Sequence, residues 1–166
     1  SLSSAIGDYR QLLGIRTFRL VAATFMLFVF ALRGIESWMP VFLIRSFDMS
    51  PAALGTWTGA VYGVAALAGT YMGGYLMSRF VANDERRQLR LLGLQFVTLM
   101  GLMALAFSSG ELYLTLVLLT VYGLVCAGVL GPMYSIAYSV IAEGMRASAA
   151  ALIGLFAVVA ASFAPL

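Results

Sequence analysis

Residues 51–90 read PAALGTWTGAVYGVAALAGTYMGGYLMSRFVANDERRQLR, and their reading decides the fold. No residue from Pro51 to Ser78 is charged. At about 1.5 Å per helical residue that run exceeds the roughly 30 Å of hydrocarbon a membrane helix must cross. Ser50 before Pro51 places an N-cap hydroxyl next to a residue whose missing N–H costs nothing in the first turn, so a span begins there. The run ends in Arg79, Asp84, Glu85, Arg86, Arg87 and Arg90, a density of charge that no helix could leave in lipid, so residues 80–90 read as a loop. Small residues recur at four-residue spacing, as Gly55, Gly59 and Gly63 and then Gly69 and Gly73. Such stripes let helix backbones approach closely, because helix association in lipid is driven by packing.

Outward from this stretch the same pattern repeats. Apolar runs at about 18–44, 51–78, 89–108, 112–141 and 147–166 give five spans, and the expected fold is an all-α, polytopic transmembrane helix bundle. The fifth run reaches the last residue without a cap, which reads as a piece of a longer protein. Residues 1–17 mix Asp8, Arg10 and Gln11 with Leu2, Ile6, Tyr9, Leu12 and Leu13 at helical spacing and read as an interfacial lead-in helix. In the fourth run, Gly123, Ala127 and Gly131 form a second small-residue stripe, and Pro132 is expected to bend the helix about four residues upstream.

Composition agrees: 62% of residues are hydrophobic and 10% charged, with a mean hydropathy of +0.97, against about a quarter charged in soluble domains. All ten basic residues are Arg, and there is no His. That excludes a Schiff-base lysine, a P-loop lysine and any histidine-based catalytic or metal site. Cys126 is the single cysteine, so no internal disulfide or cysteine metal cluster forms, and no cofactor or metal is expected. The arginines sit at span ends and not in a basic patch, so a nucleic-acid partner is not expected. Arg10, Arg16, Arg19, Arg79, Arg86, Arg87, Arg90 and Arg146 fall on one side and Arg45 alone on the other. The positive-inside rule then places the N-terminus and the loops 79–90 and 142–146 in the cytoplasm.

Intramembrane charges are expensive and mark functional sites, and Arg33 and Glu36 are the pair inside a span. Three residues apart on a helix, they share a face. Arg33 is the expected anion contact and Glu36 the expected proton-coupling carboxylate. Tyr62, Tyr122 and Tyr134 offer phenols at depths where a ligand is within reach, though helix packing is the alternative reading of each. No nucleophile set or paired carboxylates lie within one span, so an enzyme is not expected. A channel would show charge rings or a repeated carbonyl filter, and neither is visible.

Taken in order, Trp38 to Ser50 (WMPVFLIRSFDMS), the glycine-striped span, Gly73-Gly74-Tyr75-Leu76-Met77-Ser78-Arg79 and the arginine-rich loop resemble the second half of a major facilitator superfamily transporter. Gly131-Pro132, Met145 to Leu152 (MRASAAAL) and Ala164-Pro165 are similar to its spinster-like group. The resemblance implies helices seven to eleven of twelve, with an N-terminal six-helix half of the same transporter as the partner. It further implies alternating-access transport of an amphipathic anionic lipid, such as a lysophospholipid or a phosphorylated sphingoid base. A small organic anion or sugar acid is the alternative cargo. The superfamily's loop motif is met at Gly74, Leu76 and Arg79, but Ser78 stands where that motif carries Asp. A serine offers only a neutral hydrogen bond there, so a weaker gate is expected.

Overall fold

A computed structural model of the protein describes residues 2–81, 84–139, 141 and 143–163. Every regular element among the described residues is helical: α1 (Leu2–Gly14), α2 (Arg16–Phe47), α3 (Pro51–Thr56), α4 (Gly63–Leu76), α5 (Glu85–Ser108), α6 (Leu112–Ala127), α7 (Leu130–Ser139) and α8 (Arg146–Phe163). A π-helical segment, Trp57–Tyr62, joins α3 to α4, a second, Met77–Val81, follows α4, and a 3₁₀ turn, Glu143–Met145, precedes α8. Five helices are long and apolar enough to cross a membrane: Arg16–Phe47, Pro51–Arg79, Arg86–Ser108, Leu112–Ser139 and Arg146–Phe163. The all-α polytopic fold read from the sequence is therefore the fold observed. Val140 and residues 164–166, which the sequence reading put in the fourth and fifth spans, lie outside the described residues.

The chain forms two compact units, one of Ser1–Met39 with Ser135–Leu166 and the other of Pro40–Tyr134. In the first, α1 packs against α8, and Leu12, Phe18 and Ile153 are among the most deeply buried side chains. In the second, α6 is the central helix, packed on both α4 and α5. Its own Thr115, Leu119, Tyr122 and Cys126 are buried, as expected of a helix apolar on all faces.

Local chemistry sets the helix ends. Asp48 follows α2 with φ of 51°, a left-handed conformation that Asp tolerates better than most residues. The chain then turns into Ser50, whose Oγ accepts from the Ala53 N–H at 3.2 Å, with Pro51 in the first turn as expected. At α5 the structure differs from the loop expected over residues 80–90. Asp84 caps the helix, Oδ1 accepting from the Arg86 and Arg87 N–H groups at 3.0 and 3.2 Å, and Oδ2 lies 3.0 Å from Arg87 Nε. The helix thus begins at Glu85, and its arginines occupy the first two turns. Asp84→Ala should cost about 1 kcal/mol of stability and Asp84→Asn much less, because an amide oxygen caps nearly as well. Thermal melts of the purified full-length protein check this.

Pro132 acts where expected. It has no N–H for the carbonyl of Gly128, and α6 stops at Ala127, with a turn at Gly128 and Val129 before α7 resumes. The Val129 N–H bonds the Cys126 carbonyl at 3.1 Å instead of continuing the α-helical register. Hydroxyls inside the spans are satisfied locally. Thr24, Thr70, Thr98 and Thr120 each donate to the carbonyl four residues earlier, at 2.7–3.0 Å, leaving no unmet donor in an apolar surrounding.

Candidate functional site

α2 carries the expected charged pair. Arg33 Nη1 lies 3.0 Å from Glu36 Oε2, the two residues one helical turn apart. Arg33 is 17 residues from the start of α2 at Arg16 and 14 from its end at Phe47, about 25 and 21 Å along the axis, so the pair sits near mid-helix. Pro40 lies inside α2 and offers no N–H to the carbonyl of Glu36, which loosens the helix where the charges lie. Arg33 is the more exposed partner, its side chain 58% accessible against 35% for Glu36. A guanidinium held by one carboxylate at this distance is neutral as a pair, and an incoming anion competes with Glu36 for the same donors.

The three tyrosines belong to the unit of residues 40–134. Tyr62 lies in the π-helical segment, its ring centroid 5.8 Å from that of Trp57 and tilted by 49°. Its ring also covers Gly123, where an added Cβ would come within 2.5 Å of it, so Tyr62 seals the contact with α6. Tyr122 is buried on α6, and Tyr134 is half-buried on α7. Gly74 and Ser78-Arg79 lie on helix, the latter two in the second π-helical segment. The Ser78 hydroxyl donates to the Tyr75 carbonyl at 3.0 Å and is spent within its own helix. Arg79 is exposed.

Two residues that the sequence reading passed over occupy the heart of this unit. The glycine stripe of the second span meets α6 at Gly69 and Gly73, where added Cβ atoms would fall 1.9 Å from the Leu124 oxygen and 2.6 Å from the Gly128 Cα and oxygen. Two of the five glycines of the stripe are therefore used in packing within this chain, while Gly55 and Gly59 face open space. Gly128, at the break made by Pro132, is the contact residue. Beside it Gln95 of α5 brings Nε2 to 3.4 Å from where a Gly128 Cβ would sit, and Gln95 Oε1 is sealed from solvent with no hydrogen-bond partner among the described residues. Both glycines, Gln95 and Gly128 line a crevice of about 210 Å³ between α4, α5 and α6, walled by Met72, Leu76, Leu91 and Leu94. Nothing in the sequence singles Gln95 out, since the same helix also carries Gln88 and Arg90.

Comparison with known proteins gives one match. The model of the family described as the Major Facilitator Superfamily covers residues 2–165. No curated protein and no solved structure matches the chain.

Proposed function

Because the chain belongs to the major facilitator superfamily, a family of multi-pass membrane transporters, we propose that it moves an amphipathic anionic lipid by alternating access, coupled to protons. The Arg33–Glu36 pair, 3.0 Å apart near the middle of an apolar 32-residue helix, carries this reading. It supplies one cation for an anionic headgroup and one carboxylate for a proton, within a helix otherwise suited to hydrocarbon. A lysophospholipid or a phosphorylated sphingoid base fits a single guanidinium among apolar side chains; a sugar acid would call for more polar partners. The resemblance to spinster-like proteins supports the same class. In this reading the chain is the C-terminal half, works against an N-terminal six-helix half, and keeps the ends bearing Arg79–Arg90 and Arg146 in the cytoplasm.

Counterflow in liposomes containing the full-length transporter tests it. External lysophospholipid should accelerate efflux of the labelled lipid, which an alternating-access carrier shows and a channel does not. Sugar acids that trans-stimulate where lysolipids do not would replace the lipid reading. Arg33→Gln should raise KM for the anionic lipid about tenfold, the loss of one charge-assisted hydrogen bond. An unchanged KM would remove Arg33 from the binding site.

A further inference from the structure

We propose that the crevice between α4, α5 and α6 binds a monovalent alkali cation, held by the carbonyl oxygens of Gly69 and Val125 and the side-chain oxygen of Gln95. Arg33, Glu36 and the three tyrosines take no part. The inference does not rest on the transport reading, so either can fail alone.

The site lies where Gly128 leaves room for a side chain it lacks. Beyond its chain neighbours, the atoms nearest the position its Cβ would take are the Gly69 and Val125 oxygens, both at 3.3 Å, and Gln95 Nε2 at 3.4 Å. All three are polar, and Gly69, Gln95, Val125 and Gly128 all line the crevice. Two acceptors here lack their ordinary partners. In a continued helix the Val125 carbonyl would accept from the Val129 N–H, but that N–H bonds the Cys126 carbonyl at 3.1 Å. Gln95 Oε1 is buried with no hydrogen-bond partner among the described residues, a state that costs free energy until something satisfies it. The neighbouring hydroxyl does not, because Thr98 already donates to the Leu94 carbonyl. The Gly69 carbonyl keeps a second lone pair beyond its helical bond.

Electrostatics and ligand type select the class of ligand. Val125 lies in the last turn of α6, where the helix macrodipole presents partial negative charge and favours a cation. Carbonyls freed at a helix break, with the C-terminal end of the half-helix, are the groups that coordinate cations inside membranes. Every oxygen in the set is neutral, and no cluster of His, Cys, Asp or Glu among the described residues could hold a metal ion. A divalent ion in so apolar a place would need carboxylates to balance it, which leaves a monovalent one. The Gln95 amide can present either end, since its terminal torsion is soft. A cation resolves that choice, because it repels the N–H end and takes the oxygen. The lining residues Leu76 and Leu91 bring the crevice within a turn of Arg79 and Arg90, which are exposed. A hydrated ion reaches it from that end, where salt screens the arginine charge.

Equilibrium binding of labelled sodium ion to the full-length transporter in phosphatidylcholine nanodiscs tests this, with sodium, potassium and choline chlorides as competitors at equal ionic strength. Sodium and potassium should displace the label saturably, the better of them identifying the preferred ion, and choline should compete at least tenfold more weakly. Gly128→Ala fills the hollow with a methyl group on a backbone, φ −70° and ψ −14°, that alanine adopts readily. It should weaken sodium binding at least tenfold, while its melting temperature in choline chloride matches that of the unaltered protein. Gln95→Met should weaken binding likewise. Gln95→Glu should tighten it about tenfold, because a carboxylate attracts a cation more strongly than an amide oxygen does. That variant separates a cation from a water, since a glutamine that only donates its N–H to the Val125 carbonyl, directly or through water, gains no sodium affinity on becoming glutamate. No saturable sodium binding, equal displacement by choline, unchanged binding in Gly128→Ala, or no tightening in Gln95→Glu would each overturn the proposal.

Discussion

Gly69→Ala is expected to destabilise the unit of residues 40–134 by more than about 3 kcal/mol, beyond the usual range for overpacking. The added Cβ would lie 1.9 Å from the Leu124 oxygen, 2.7 Å from its carbonyl carbon and 2.9 Å from its Cα. All three are backbone atoms of α6, so no rotamer change relieves the clash and the two helices must separate. Separation exposes the close contact on which association in lipid depends, since no hydrophobic force there compensates for lost packing. Gly73→Ala meets Gly128 in the same way, with two backbone atoms at 2.6 Å. Gly59→Ala is the internal control: nothing lies within 4 Å of its Cβ position, and alanine gains up to about 1 kcal/mol of helix propensity over glycine. Thermal melts of the purified full-length transporter, followed by the fluorescence of buried Trp57, compare the variants. Similar melting temperatures for Gly69→Ala and Gly59→Ala would show that the close approach of α4 to α6 does not hold this unit together. If Gly59→Ala melts normally but transports poorly, its open face is where the proposed N-terminal half docks.

That contrast shows what the sequence makes legible. Spacing identified every glycine of the stripe, but Gly55 and Gly69 look alike until the register of a second helix is known, and only three-dimensional packing says which one touches backbone. In the fourth span, attention to the Gly123, Ala127 and Gly131 spacing passed over Gly128, whose role comes from the break that Pro132 makes four residues later. The spans themselves were readable because the cost of charge in hydrocarbon is large and local. The start of α5 was misread for the same reason. Charges at residues 84–90 do exclude that segment from lipid, yet they do not prevent a helix, and Asp84 is a strong cap. The two π-helical segments left no trace in composition, since each rearranges only about one turn of backbone next to an α-helix. Within the candidate site, the Arg33–Glu36 pair follows from a three-residue spacing alone. Gln95 does not, because one glutamine in an apolar helix is unremarkable until its oxygen is found buried.

Glu36→Gln is expected to abolish uptake driven by a pH gradient while leaving lipid exchange in place. The two behaviours separate because they use the pair differently. In the proposed mechanism, exchange requires Arg33 to take up and release an anionic headgroup, and an amide at position 36 still accepts a hydrogen bond from the guanidinium. Coupling requires that the group released by Arg33 when the headgroup arrives can bind a proton, and glutamine cannot. In that mechanism, with the carboxylate present, proton binding at Glu36 and anion binding at Arg33 favour one another, because each replaces what the other has lost from the ion pair at 3.0 Å. The opposing account is a static bridge that neutralises two charges for insertion. It predicts that Glu36→Gln lowers expression or melting temperature, and that Arg33→Gln combined with Glu36→Gln, neutral again, transports as the wild type does. Proteoliposomes of the full-length transporter with an imposed pH gradient distinguish the two. Gradient-driven uptake falling to the level of protein-free vesicles, with counterflow retained, identifies Glu36 as the coupling carboxylate; gradient-driven uptake that survives in either variant assigns the pair to insertion and places the coupling group elsewhere.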